Sequence, residues 1–292
     1  MLDQSEKQLE KSNKSGAQVP QCLNLLSLSE KNRAGSQGTQ HNAQHNDGAH
    51  QNQLQYPKME AHPGSYYHKI YSPCGSWTGI EGVVTLGEPH LDPKRIDKGQ
   101  AQDTFSTYLG GRAKKEIDAG LSWEVTTNKQ GKVDSEHKAW RPFWRNDSWH
   151  SGPSEQRYYW RPGETVAMSL HVVAPNKLQL TISDLGDHPK RKFTTTLDAK
   201  GFGTGTDTFF KRVDAIDQNG TEGKHVLRSH SHITGTSWKD TVLTTKEGDL
   251  QPLVPGFKRV VDDPPAHVNL TSTHQQRLHG GETINIDAAK KK

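Results

Sequence analysis

The sequence predicts an all-β fold, an antiparallel β-sandwich with a disordered N-terminal tail, and three observations predict it. Apolar and polar residues alternate with period two in several stretches. Short runs rich in β-branched and aromatic residues recur with turn clusters between them, and helical periodicity is scarce. Many short strands separated by regular turns must pair sheet against sheet to bury their apolar faces, which is the logic of a sandwich.

Residues 1–64 form the expected tail. They are rich in Gln, Asn, Ser, Lys and His, as in GSQGTQHNAQHNDGAHQNQLQ, and lack periodic apolar residues. The one apolar island, CLNLLSLS at Cys22–Ser29, is too short for a signal-peptide core or a membrane helix, so neither export nor membrane insertion is read from this chain. Residues 65–292 are expected to form one domain, a size at which single sandwiches still occur.

Along that domain the first β-like run is GIEGVVTL at Gly79. KEIDAGLSWEVTT follows, with Ile117, Ala119, Leu121, Trp123 and Val125 on one face and Glu116, Asp118, Gly120, Ser122 and Glu124 on the other. Pro142 keeps AWRPFW off a regular helix, so Trp140, Pro142 and Trp144 share one side while Arg141, Phe143 and Arg145 share the other. VAMSLHVV and LQLTIS alternate in the same way and are joined through a hairpin turn at APNK. Later β-like runs are KFTTTL, DTFFKRV, HITGTSW, AHVNL and ETINI, and GFGTGTDTFF reads as a loop at its glycines. FKRVDAIDQ and the stretch around THQQRL are the two candidate short helices, and the repeated FKRV is coincidence.

Composition bounds the function. Of the 292 residues only 30% are hydrophobic, and the net charge of +4 is far from the dense basic stripe of a nucleic-acid binder. The isoelectric point near 8.9 owes much to KRK at 190–192 and to the terminal KKK. Cys22 and Cys74 lie in the tail and at the domain's entry, so no disulfide framework is expected. The sequence lacks GxSxG, phosphate-loop, HExxH and dinucleotide fingerprints, and no cofactor is expected.

Two features offer ligand chemistry. Trp140, Trp144, Trp149 and Trp160 lie close together among Arg141, Arg145, Arg157 and Arg161, and a tryptophan face suits stacking on sugars or bases as well as core packing. Glu116, Asp118 and Glu124 flank the small Gly120 and Ser122, either as a ligand floor or as an ordinary solvated face. HSH at His230–His232 would put two imidazoles on one side of a strand, but spacing places no third ligand and no metal is assigned.

Together, SWTGIEG, YLGG, EIDAGLSWE, AWRPFW and YYWRPGETVAMSL resemble the glutamic peptidase family, sandwich enzymes that pair a catalytic Gln with a catalytic Glu. The resemblance implies a concanavalin-like sandwich of jelly-roll type. In that family a segment of the form L-Q-T-G-V precedes one like A-W-Y-E-W-Y-P. Residues 117–121 and 139–144 match them here, with Asp118 at the Gln place and Pro142 at the Glu place. Proline has no side-chain proton to give or accept, so that acid–base mechanism lacks a partner. YSPCGSWTGIEGVVTLGEPHLDP and FKRVDAIDQNGTEGK also resemble the YrpD-like group of uncharacterised bacterial proteins over most of residues 71–253. Such proteins are generally exported, and the group brings no established activity.

The reading that follows is a non-enzymatic binding module for carbohydrate or cell-wall polymer, with Trp140, Trp144, Trp149 or Trp160 as platforms. Its rivals are a hydrolase using strand-face carboxylates, for which Asp118 and Glu124 lie about 20 Å apart along one strand, and a structural surface-associated protein.

Overall fold

The computed structural model describes Cys22, Tyr56, Pro57 and residues 63–124, 138–221, 223–254 and 260–289. The expected tail therefore lies outside the described residues except at Cys22, Tyr56, Pro57, Pro63 and Gly64. In chain order the strands are β1 (Ser65–Tyr71), β2 (Gly79–Thr85), β3 (Glu88–His90), β4 (Ile96–Asp97), β5 (Gln100–Ala101), β6 (Asp103–Arg112), β7 (Glu116–Glu124), β8 (Ala139–Arg145) and β9 (Trp149–Ser151). They continue as β10 (Thr165–Ala174), β11 (Lys177–Asp184), β12 (Lys192–Asp198), β13 (Phe209–Gln218), β14 (His232–Thr244), β15 (Leu250–Pro252), β16 (Val260–Asp263), β17 (Val268–Leu270) and β18 (Glu282–Asp287).

Two antiparallel sheets form a β-sandwich, as expected. The seven-stranded sheet runs β16-β1-β13-β6-β7-β8-β9. The nine-stranded sheet runs β12-β11-β10-β2-β14-β18-β17, with β3 and β15 also paired to β14. Their inner faces share one apolar core, in which Ile117, Leu121, Leu109 and Phe105 meet Ile80, Met168, Leu180 and Ile284. The alternation expected in β7, β10 and β11 is what supplies those inward residues. No helix among the described residues is long and apolar enough to cross a membrane.

The hairpin expected at APNK joins β10 to β11, and Asn176 takes the left-handed conformation there with φ 62°. Thr273 caps the one-turn helix α1 (His274–Leu278) through a reciprocal capping box with Gln276, as the THQQRL stretch predicts. FKRVDAIDQ is not a helix. It is most of β13, an interior strand of the seven-stranded sheet, paired to β1 and β6. The second FKRV lies outside the described residues except for Val260.

Cys22 and Cys74 are joined in a disulfide across a sequence separation of 52 residues. This corrects the expectation drawn from their positions. Spacing along the chain holds no information on whether a tail residue returns to the β1–β2 connection, and here it does.

Candidate functional site

The outer face of the seven-stranded sheet, turned away from the core, carries a cluster of ionisable side chains beside a second apolar cluster. On β7 it presents Glu116, Asp118, Gly120, Ser122 and Glu124, as the alternation predicts. Register then fixes the neighbours: Gly110 on β6 and Arg145 on β8 lie opposite Asp118, and Lys211 on β13 lies opposite Gly110. Lys211 crosses the space above Gly110 to place its Nζ 2.7 Å from Asp118 Oδ1, and it also contacts Glu116 Oε1. Arg145 Nη2 takes the other oxygen of Asp118 at 2.7 Å.

This is no solvated face. Asp118 is 4% exposed and Lys211 2% exposed, and Tyr67, Tyr108, Phe143, Val213 and Ala215 form a second apolar cluster around them. A half-exposed rim surrounds that centre: Lys69, Glu116, Ser122, Arg141, Arg145, Trp149 and Asp217. Burial on its own would raise the Asp118 carboxyl, but Lys211 and Arg145 outweigh it and hold the group down to about 2. Burial likewise works against the Lys211 ammonium, yet Asp118 and Glu116 push it well above the usual lysine range. The pair is permanently ionised near neutral pH.

Gly120 is packed against β6, while Ser122 stays half-exposed on the rim. A Cβ on Gly120 would stand 2.5 Å from both Cα and Cβ of Tyr108, and one on Gly110 would stand 2.7 Å from Asp118 Oδ1. Glycine at these positions lets β6 and β7 approach and leaves room for the Lys211–Asp118 pair. At the far end of β7, Glu124 is held by Arg141 at 3.0 Å. Glu116, Asp118 and Glu124 thus share a face, but each is already matched to a cation.

The four tryptophans separate. Trp140 and Trp160 are fully buried, bridged to one another by backbone hydrogen bonds of 2.8 and 3.0 Å. Their indole N–H groups donate to Gly87 O at 3.1 Å and Asp184 Oδ1 at 2.9 Å. Buried and fully bonded, these two rings have no surface to offer, and they pack the core. Trp144 lies on the inner side of β8, as the alternation predicts, half-buried against His150 and Phe193. Trp149 alone joins the outer face. Its ring lies parallel to Phe143, with centroids 4.3 Å apart and planes 6° apart, and Arg145 is its cross-strand neighbour.

Pro142 faces the core opposite Leu121, whereas Asp118 faces out. The two positions matched to the glutamic peptidase pair are therefore on opposite sides of the sheet. At HSH, His232 begins β14 and stacks on His90 at 4.5 Å, while His230 precedes the strand. Ser229 and Ser231 around it both donate to the buried Asp103 carboxylate, at 2.5 and 2.7 Å. Among the described residues no group of three or more His, Cys, Asp or Glu is arranged for a metal ion.

Lys69, Lys211 and Tyr108 are absent from the expected site. Period two in DTFFKRV places Lys211 on a face with Phe209 and Val213, but the competing helical reading of FKRVDAIDQ masks that signal. Lys69, in SYYHKIY, has no comparable pattern, because both faces of β1 are buried.

No protein-family model matches the chain, and no curated protein matches it. Solved structures do. Scytalido-glutamic peptidase with a peptide-based transition state analog is similar over 75% of this chain and 97% of its own, at 9% identity and a TM-score of 0.44. SCP-B, a member of the eqolisin family of peptidases in a complex with the tripeptide Ala-Ile-His, is similar over 76% and 98%, at 8% identity and a TM-score of 0.41. The CBM2 module of the evolved Dit of a Lactobacillus casei phage is similar over 53% and 56%, at 10% identity and a TM-score of 0.28. Likenesses at these values carry no argument about chemistry, and none of them bears on the YrpD-like resemblance.

Proposed function

We propose that this protein is a non-enzymatic binding module for carbohydrate or cell-wall polymer, with Trp149 as its stacking platform. The observation that supports this most is the Phe143–Trp149 stack on the rim of the outer face. A ring braced from behind by a parallel neighbour loses little freedom when a sugar ring covers its other side. Arg145, its cross-strand neighbour on β8, is half-exposed beside it, and the guanidinium N–H groups other than the one given to Asp118 can donate to hydroxyl or acidic groups.

The hydrolase reading has less support. A carboxylate held near 2 by two cations neither takes nor gives a proton at neutral pH, so Asp118 is unsuited to acid–base work. Pro142 has no acid–base group and faces away. The disulfide between Cys22 and Cys74 supports an oxidising location outside the cytoplasm, where a polymer ligand would be met.

Retention on insoluble polysaccharides, together with a glycan array, tests the reading. Wild-type protein is expected to be retained, and Trp149→Ala to lose retention at least about tenfold with an unchanged unfolding midpoint. Failure of the wild type to bind any polymer, or retention unaltered in Trp149→Ala, sinks it.

A further inference from the structure

Where the ends of β1, β16 and β18 meet the connection between β13 and β14, the chain forms a cleft of about 430 Å³, within the roughly 300–1,000 Å³ usual for small-molecule sites. Tyr66 and Ala288 in its lining are buried, whereas His225 and Arg228 on the β13–β14 connection are exposed, so solvent reaches it from that side. The Tyr66 hydroxyl donates to Leu227 O at 3.1 Å, which leaves the ring as an apolar surface for the cleft.

Three polar groups in the lining are unmatched. His267 is 6% exposed, and its Nδ1 donates to Asp287 O at 2.7 Å. A carbonyl oxygen only accepts, so Nδ1 carries the hydrogen and Nε2 of the neutral ring is an acceptor. Nothing among the described residues donates to it. Arg228 and Asp263 also line the cleft and form no ion pair among the described residues, with each other or with a third group. Lys69 influences the Asp263 carboxyl from beyond salt-bridge distance. The neighbouring Asp103, by contrast, is held by Arg95, Gln218, Ser229 and Ser231.

We propose that this cleft binds a free amino acid with an apolar side chain. Its carboxylate lies on the Arg228 guanidinium, which suits a planar two-oxygen partner. Its ammonium donates to Asp263 and to His267 Nε2, two acceptors for a group with only donors. Its side chain packs on Tyr66, Val226 and Pro264. A ligand of a single charge would leave Arg228 or Asp263 without an opposite charge, whereas a zwitterion matches both. The cleft is separate from the Trp149 platform: it adjoins β16 at one edge of the seven-stranded sheet, and Trp149 is on β9 at the other.

Calorimetric titration of the full-length oxidised protein with L-phenylalanine and L-leucine tests the proposal, with hydrocinnamate and phenethylamine as comparators that each lack one of the two charges. At least one amino acid is expected to bind saturably, and the comparators at least about tenfold more weakly than phenylalanine. Arg228→Gln and Asp263→Asn are each expected to weaken binding about tenfold with an unchanged unfolding midpoint. Val226→Trp fills the cleft without removing a charge and should abolish binding. Absence of saturable binding by either amino acid, a comparator that binds as tightly as phenylalanine, affinity unaltered in both charge variants, or binding retained in Val226→Trp overturns the proposal.

Discussion

His68 on β1 and Glu282 on β18 join the two sheets through the interior, with Nε2 2.8 Å from Oε2 and neither side chain more than 1% exposed. The other ring nitrogen, Nδ1, lies 2.6 Å from Asp262 on β16. Arg212 from β13 reaches the same oxygen of Glu282 and donates to Gly280 O at 2.6 Å and Thr241 Oγ1 at 3.1 Å. An imidazole between two carboxylates is held as imidazolium: burial acts to lower its pKa, but Asp262 and Glu282 outweigh that and bring it to about 9.

Stability should therefore fall as the solution becomes alkaline. The unfolded chain releases the His68 proton near 6.5 and the folded chain near 9, so between those values the native state holds more protons. The contribution is complete below the lower value and is lost as pH rises through the upper one. Its size is on the order of 3 kcal/mol. Urea unfolding followed across that window should show the decline, and His68→Gln should flatten it; an equal slope in the two proteins would refute the assignment.

Asp118 gives the opposite dependence. Its carboxyl is depressed from 3.8 to about 2 by Lys211 and Arg145 against the effect of burial. The stability it contributes is present above the ordinary aspartate range and disappears as pH falls through the folded value. Asp118→Asn leaves Lys211 with Glu116 alone and Arg145 without its partner. The expected loss at neutral pH is about 2–3 kcal/mol, at the lower end for a broken buried pair because Arg145 is partly solvated. Chemical denaturation at neutral pH and at pH below the aspartate range should show the two proteins converging in acid.

The strands of the sandwich were legible wherever one face is apolar and the other polar, as in EIDAGLSWE and LQLTIS, because period two is then visible. The alternation also set Trp140, Pro142 and Trp144 against Arg141, Phe143 and Arg145 correctly. At β13 the sequence reads two ways, as a strand in DTFFKRV and as a short helix in FKRVDAIDQ, and only the strand holds; there Arg212 and Asp214 point inward and Lys211, Val213 and Ala215 point outward to a second buried cluster. Charges enter the interior there because Glu282, Thr107 and Trp238 satisfy them. Those partners are remote in sequence, so no local pattern announces them. For the same reason the burial of Asp118 was illegible: it depends on Lys211, which reads as part of a helix until β13 is seen paired on both sides.

Close approach at Gly110 makes a sharper test of that packing. A Cβ there would stand 2.6 Å from Ile117 O, 2.7 Å from Asp118 Oδ1 and 2.8 Å from Lys211 Cε. The first of these is backbone of the paired strand, so relief requires β6 and β7 to separate. Gly110→Ala is expected to cost about 2–3 kcal/mol by overpacking. A thermal midpoint equal to wild type would mean that the ion pair does not occupy the space assigned to it.

The disulfide predicts how the protein responds to reductant. Cys22 and Cys74 are the only cysteines of the chain and are paired, so oxidised protein should expose no free thiol even when unfolded. A digest made without reductant should yield the Cys22 and Cys74 peptides as one linked species. Closing a loop with a sequence separation of 52 residues restricts the unfolded chain, and chain-entropy arguments put the resulting stabilisation at about 2–4 kcal/mol. Dithiothreitol or Cys74→Ser should therefore lower the unfolding midpoint, and the two treatments should not add, since both remove the same bond. Thiols that titrate in the unreduced protein, or a midpoint indifferent to reductant, would show that this cross-link does not hold the chain.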